Sequence, residues 1–131
     1  LASQYDPQAF HMEEAAAAQS HFGALCASGW HTIAVWMRLR VLYGRREYAE
    51  RAARGEVIAR LGPSPGFREL RWLKPVRPGD VLSVESEVVG KEASPKRPHV
   101  GIVRVTSRIM NQRGEIVMSL TSLVLYRRRT A

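Results

Sequence analysis

The run Ser28-Gly29-Trp30-His31-Thr32-Ile33-Ala34-Val35-Trp36-Met37-Arg38-Leu39-Arg40-Val41-Leu42-Tyr43 constrains this chain more than any other stretch. At helical spacing its apolar residues form no single stripe. Trp30, Ile33, Met37 and Val41 cover one side, Val35, Leu39 and Leu42 point elsewhere, and Trp36 elsewhere again. A helix apolar nearly all round is a buried helix, because it has no face to leave in water without loss. The run is too short, and too broken by Arg38 and Arg40, to read as a membrane span. Ser28 is a good N-cap, since its hydroxyl can accept an orphan N–H of the first turn. Everything after residue 66 reads as strands. The fold class is therefore α+β, an antiparallel sheet wrapped around a buried central helix.

At 131 residues the chain reads as one domain with a sizeable core. The formal charge of +8, from 20 Lys+Arg against 12 Asp+Glu, favours anionic partners without choosing among nucleic acid, a membrane surface and a phosphorylated small molecule. Cys26 is the one cysteine, so no internal disulfide framework exists, and its apolar setting fits a reducing cytoplasm. No signal peptide or transmembrane run is present. The chain opens at Leu1 as if inside an element, and we expect an N-terminal piece ahead of it.

Residues 1–11 read as the end of one element and a loop. Glu13 to Gln19 is Ala-rich with acids in its first turn, which predicts a short helix that Gly23 ends. Gly44 is expected to interrupt the central helix. Arg45 to Leu61 has weak helical periodicity with Gly55 in its middle, and reads as helical. Gly62 to Gly66 is a loop by its turn chemistry. The period then changes to two. Leu70 and Trp72 alternate with Glu69 and Arg71. Arg77-Pro78-Gly79-Asp80 forms a turn, and Val81 to Glu92 alternates Leu82, Val84, Ser86 and Val88 against a polar face. Ala93 to Pro98 is a basic loop. Val100 to Met110 places Val103, Val105, Ser107 and Ile109 on one face. Asn111-Gln112-Arg113-Gly114 is a hairpin turn with Gly114 left-handed, and Glu115 to Tyr126 is the last strand, followed by a solvated basic tail.

The chemistry sits before the helix, in Tyr5-Asp6-Pro7-Gln8-Ala9-Phe10-His11. A carboxylate and an imidazole five residues apart in a Pro-stiffened loop can turn toward one point, which a straight strand would not allow. The pair supplies two proton-transfer groups, provided the pocket is partly apolar. Spacing alone favours a plainer reading, with Asp6 capping the loop and His11 on the surface.

This segment, the Ala-rich helix after it and Ser28-Gly29-Trp30-His31-Thr32 together resemble the MaoC-like dehydratases, the R-specific enoyl-CoA hydratases of the hot dog fold. Their signature is Asp-x-Asn-Pro-φ-His, φ being apolar, with a Gly at the start of the central helix. Leu70 to Asp80 and Asn111 to Gly114 resemble the same family's strands and turn, so the likeness covers nearly the whole chain. Gln8 stands where Asn is usual and Ala9 where Pro is usual. Met37 falls where some members carry a small hydroxyl residue. Residues 44–61 are longer than the family pattern, as a lid or surface insertion would be, and a strand and helix ahead of Asp6 are missing from it, which would leave a sheet edge unpaired.

The resemblance implies that Asp6 and His11 hold one water over the Cα=Cβ bond of a trans-2-enoyl thioester. It also implies that the N–H of Gly29, at the positive end of the helix, stabilises the enolate oxygen, with base assigned to Asp6 and acid to His11. Gln8, Phe10 and Ser28 would line the substrate. No cofactor or metal is implied. The substrate is an acyl-CoA or an acyl carrier protein thioester, the partner is a second copy of the chain, and neither nucleic acid nor membrane is engaged.

Other candidates carry less. His11, His21 and His31 match no metal-ligand spacing. His31 reads as a hydrogen-bonded structural residue, His99 as solvated and Cys26 as a small core residue. No nucleophile elbow or P-loop is present. Arg45, Arg46, Arg51, Arg54, Lys96 and Arg97 read as a solvated face, although they could meet coenzyme A phosphates. A hot dog thioesterase would want a carboxylate on the central helix, and none occurs from Ser28 to Tyr43. A nucleic-acid binder would interleave basic residues with exposed aromatics, whereas the tryptophans here sit in apolar runs. A non-catalytic acyl-thioester binding subunit is a further alternative. Trp30, Trp36 and Met37 are expected to shorten the acyl tunnel.

Overall fold

The computed structural model describes residues 1–58 and 62–128. Its N-terminal segment holds three short helices, α1 (Ala2–Tyr5), α2 (Ala9–Met12) and α3 (Glu14–Ala18). The expected loop over residues 1–11 is therefore two helical turns flanking Pro7, which lacks an N–H and biases the residue before it away from helix. Asp6 accordingly sits at φ −150°, ψ 67°. Gly23 turns the chain at φ +68°, beyond the end of α3.

Helix α4 (Gly29–Ala53) begins where Ser28 caps it, the hydroxyl accepting from the Trp30 N–H at 3.3 Å. It does not stop at Gly44. A helical glycine costs about 1 kcal/mol against alanine. Glu47, Ala49, Glu50, Arg51 and Ala52 are strong helix formers, and Arg46 pairs with Glu50 at 3.1 Å one turn on, so the helix runs through. After Ala53 the chain turns, with Glu56 held by Arg51 and Arg54 at 2.7 and 3.1 Å. The helical expectation for residues 45–61 thus holds to Ala53, and residues 59–61 lie outside the described residues. Burial is also less than the apolar run predicts. Only Thr32 and Trp36 of α4 are buried, while Trp30, Met37, Val41 and Leu42 are about half exposed.

The strands β1 (Gly66–Trp72), β2 (Ser83–Ala93), β3 (Val100–Met110) and β4 (Ile116–Arg127) form one antiparallel sheet in the order β1-β4-β3-β2. The alternation read from the sequence is realised on β3. Val105, Ser107 and Ile109 are buried and face Ser122, Leu120 and Met118 of β4. Of the alternating face expected on β2, only Leu82, just ahead of the strand, and Val84 are half buried, whereas Ser86 and Val88 are exposed because β2 is an edge. Gly79 and Gly114 take φ +85° and +75° in the two expected turns. In β1 the register slips between Arg68 and Arg71, with Glu69 at φ +55°. That bulge brings Trp72 opposite Met118, on the helix side of the sheet.

The core is Trp36 against Ile109, Val117, Met118 and Leu120, with Ile33, Leu70, Val76, Leu82 and Val84 packed around it. Each large apolar side chain so buried stabilises the fold by about 1.5–3 kcal/mol. Trp36 is the wedge that seats the first half of α4 on the sheet and so fixes where its N-terminus points.

Candidate active site

Asp6 and His11 meet. Oδ2 of Asp6 lies 3.4 Å from Nε2 of His11, and both side chains are largely buried, 17% and 8% exposed. Pro7 and the turn of α2 make this approach possible, because α1 ends at Tyr5 and α2 starts at Ala9 with His11 on its inner side.

Each partner is held from behind. The buried Ser28 hydroxyl donates to Asp6 Oδ2 at 2.6 Å, and the Gln8 amide donates to Oδ1 at 2.8 Å. These two bonds, chiefly that from Ser28, hold the Asp6 carboxyl below its usual range against the opposing effect of burial, with the nearby His11 adding a smaller push the same way. His11 Nδ1 lies 2.9 Å from the carbonyl oxygen of Cys26. A carbonyl only accepts, so Nδ1 carries the hydrogen, and in the uncharged form of the ring Nε2 turns its lone pair toward the carboxylate. Two acceptors face each other at that point unless a proton lies between them, and a water bridging them would supply one to each. Phe10 stands edge-on to the His11 ring at 4.5 Å between centroids and packs on Phe22 at 5.1 Å, fixing the imidazole plane.

Asp6 and His11 open onto a cavity of about 520 Å³ that also touches Gly29, Trp30, Thr32 and Trp72. A second cavity of about 430 Å³ meets it at His11, Thr32 and Val76 and continues between Leu25, Val35, Leu39 and Leu82. Gln8, Phe10 and Ser28, expected at the substrate, stand behind the pair and line neither cavity. Trp36 and Met37, expected to shorten a tunnel, are turned into the core and out to solvent respectively, and only Trp30 stands at the cavity mouth. The hydroxyl near Asp6 is that of Ser28, whereas Met37, which the family comparison put there, is half exposed. His31, expected to be hydrogen-bonded, is exposed on the wall of the second cavity.

Gly29 has a close neighbour that the sequence did not announce. A Cβ built on it would fall 2.4 Å from the Trp72 ring, and the Trp72 indole N–H donates to the Gly29 carbonyl at 3.1 Å. Trp72 also meets Trp30 edge-on at 6.2 Å. The glycine thus admits an indole over the start of α4. Its N–H finds no acceptor among the described residues. Cys26 is buried at 3% exposure, and desolvation raises its thiol, which makes it a poor nucleophile. Among the described residues no three His, Cys, Asp or Glu gather to hold a metal ion, and no helix is long and apolar enough to cross a membrane.

The family model for the MaoC-like domain matches residues 2–109. The mesaconyl-CoA hydratase of Cereibacter sphaeroides is 45% identical over 64 residues, which is 49% of this chain but only 18% of that longer protein. The crystal structure of the MaoC-like dehydratase from Rhodospirillum rubrum superposes with a TM-score of 0.75 at 38% identity, covering 99% of this chain and 81% of that one. The (R)-hydratase of A. caviae involved in PHA biosynthesis shares the fold, with a TM-score of 0.59 at 20% identity over 94% of this chain and 79% of that one. Four antiparallel strands and one long helix match the fold of these neighbours, and the family model covers residues 2–109: the chain belongs to the MaoC-like domain family and has the hot dog fold.

Proposed function

We propose that the chain adds water to a trans-2-enoyl thioester, or removes it in reverse, to interconvert it with an R-3-hydroxyacyl thioester. The observation that carries this reading is the 3.4 Å approach of Asp6 Oδ2 to His11 Nε2 with Nδ1 tied to the Cys26 carbonyl. That arrangement holds a water by both hydrogens and leaves its oxygen free to attack.

Asp6, kept ionised by Ser28 and Gln8, takes a proton as the water oxygen bonds to Cβ. The π electrons move to the thioester oxygen as an enolate, the proton taken by Asp6 crosses the gap to the lone pair of His11 Nε2, and Cα collects it from Nε2 on the same face. Water has then given OH to Cβ and H to Cα, Asp6 is ionised again and Nε2 has its lone pair back, which restores the pair. The free N–H of Gly29, at the positive end of α4, is the enolate's donor. Gln8, Phe10 and Ser28 act by holding the two catalytic side chains, and the apolar second cavity takes the acyl chain.

The carrier is coenzyme A or an acyl carrier protein, the setting is the cytoplasm, where the Cys26 thiol stays reduced, and the partner is a second copy joined at a sheet edge. Exposed Phe67 on the edge strand β1 supports that last reading. The thioesterase alternative loses support, since the carboxylates of α4, Glu47 and Glu50, lie on its exposed far half, away from the cavity.

The test is the absorbance of the conjugated enoyl thioester with crotonyl-CoA, mesaconyl-CoA and longer enoyl-CoA substrates, for wild type, Asp6→Asn and His11→Ala. Loss of the band with wild type alone, giving the 3R product, is the expected result. Wild type as inert as both variants across the panel would overturn it.

A further inference from the structure

We infer that Arg77 is a positioning residue for His11, acting through the carbonyls of the loop that presents the Cys26 carbonyl; this rests on the hydratase reading only for its kinetic consequence. Residues 19–28 belong to neither helix nor strand, so their carbonyls need partners from elsewhere. The Arg77 guanidinium supplies them. Nη2 donates to the Phe22 carbonyl at 2.5 Å, and Nη1 donates to Ala24 at 2.6 Å and more weakly to Leu25 at 3.5 Å.

Cys26 follows directly, and its peptide group is gripped on both sides. Its N–H donates to the Phe10 carbonyl at 3.3 Å, and the next N–H, of Ala27, donates to Val76 at 2.8 Å. Between those two anchors its own carbonyl is aimed at His11 Nδ1.

The clamp is itself anchored in the sheet. The Arg77 N–H donates to Asp80 Oδ2 at 2.8 Å, Gln112 donates to Asp80 Oδ1 at 2.9 Å, and Gln112 Oε1 accepts from the Val81 N–H at 3.0 Å. Gln112 belongs to the β3–β4 hairpin, so a fixed part of the sheet holds the 77–80 turn. A planar fork with several donors fits carbonyls diverging from one loop in a way that a lysine point charge does not. The groups facing the His11 ring are Asp6, the Cys26 carbonyl and thiol, and the rings of Phe10 and Phe22. Arg77 reaches it only through this loop, while also lying on the wall of both cavities.

The experiment uses Arg77→Met and Arg77→Lys, each checked for a cooperative unfolding transition. Nitrogen-15 NMR of the His11 ring reads the tautomer without any substrate, and hydration kinetics read kcat and KM separately. Wild type is expected to show one tautomer, with hydrogen on Nδ1. Arg77→Met is expected to show averaging between tautomers and a kcat lower by about 10- to 100-fold with KM little changed, as misplacement of a proton-transfer group predicts. Arg77→Lys, which keeps the charge but not the fork, should show the same averaging in milder form, and it carries the test if Arg77→Met does not fold. A single Nδ1–H tautomer in both variants overturns the inference. So does a raised KM with unchanged kcat that lysine repairs, which would make Arg77 a substrate contact. Should wild type hydrate no enoyl thioester, the reading of the reaction fails, while the ring spectrum still decides what Arg77 does.

Discussion

Ser28 does two jobs with one hydroxyl. It donates to Asp6 and accepts from the Trp30 N–H, so Ser28→Ala removes a cap and a carboxylate donor together. The expected cost in stability is about 0.5–2 kcal/mol for the cap, read from a denaturant midpoint. The Asp6 carboxyl is at the same time expected to rise toward its ordinary 3.8, read by carbon-13 titration of the side chain. The sign follows from the direction of the shift. Asp6 is more acidic folded than unfolded, so its contribution is present above the unfolded value and is lost as pH falls through the folded one. In Ser28→Ala that acid-side loss should shrink. That Asp6 and His11 meet was not legible from their spacing, which favoured a capping Asp6 and a surface His11; the likeness of the whole segment to a family signature pointed to it. The carbonyl of Cys26 was not legible either, since every residue has one. Nor was Trp72, whose place over Gly29 depends on a slip in the register of β1.

Among the elements, α4 shows most clearly where pattern reading stops. Its start was legible from the cap. Its end was not, because a lone glycine is outweighed by the helix formers on either side. Gly44 has open space where a Cβ would go, so Gly44→Ala is expected to stabilise the chain by about 0.5–1 kcal/mol, measured by thermal or denaturant unfolding. Gly29→Ala should do the reverse. Its methyl must push the Trp72 ring from the start of the helix, at a cost of about 1–3 kcal/mol, with an altered tryptophan emission reporting the move. Periodicity predicted the sheet well on β3 and β4, which have neighbours on both sides. It predicted β2 poorly, because an edge strand buries less than its alternation implies. The far half of α4 is bare for a related reason: an apolar run states what a helix prefers to touch, and says nothing of what reaches it.

For the molecule as a whole, the sheet end nearest the site is pinned by charge. Glu115 accepts from Lys74, from Asn111 at 2.9 Å and from Arg113 at 2.8 Å, and these bonds pull its carboxyl from 4.5 down to about 2. Its contribution to stability is therefore complete above about pH 4.5 and is lost as the pH drops toward 2. Comparing the acid dependence of the unfolding midpoint in wild type and Glu115→Gln checks this, the variant being expected to have the flatter profile. The long-range clamp also has a consequence in time. A ribosome releases Asp6, His11 and Cys26 before Trp72, Arg77 and Gln112, which hold their surroundings still and emerge only after the whole of α4. The two facing side chains are thus made first and steadied last. In refolding, helical circular dichroism should recover in a faster phase than the proposed enoyl thioester turnover, because the distant contacts close late. A chain stalled before the β3–β4 hairpin would carry Asp6 and His11 with their near partners Gln8, Cys26 and Ser28, and lack the Gln112 anchor behind them.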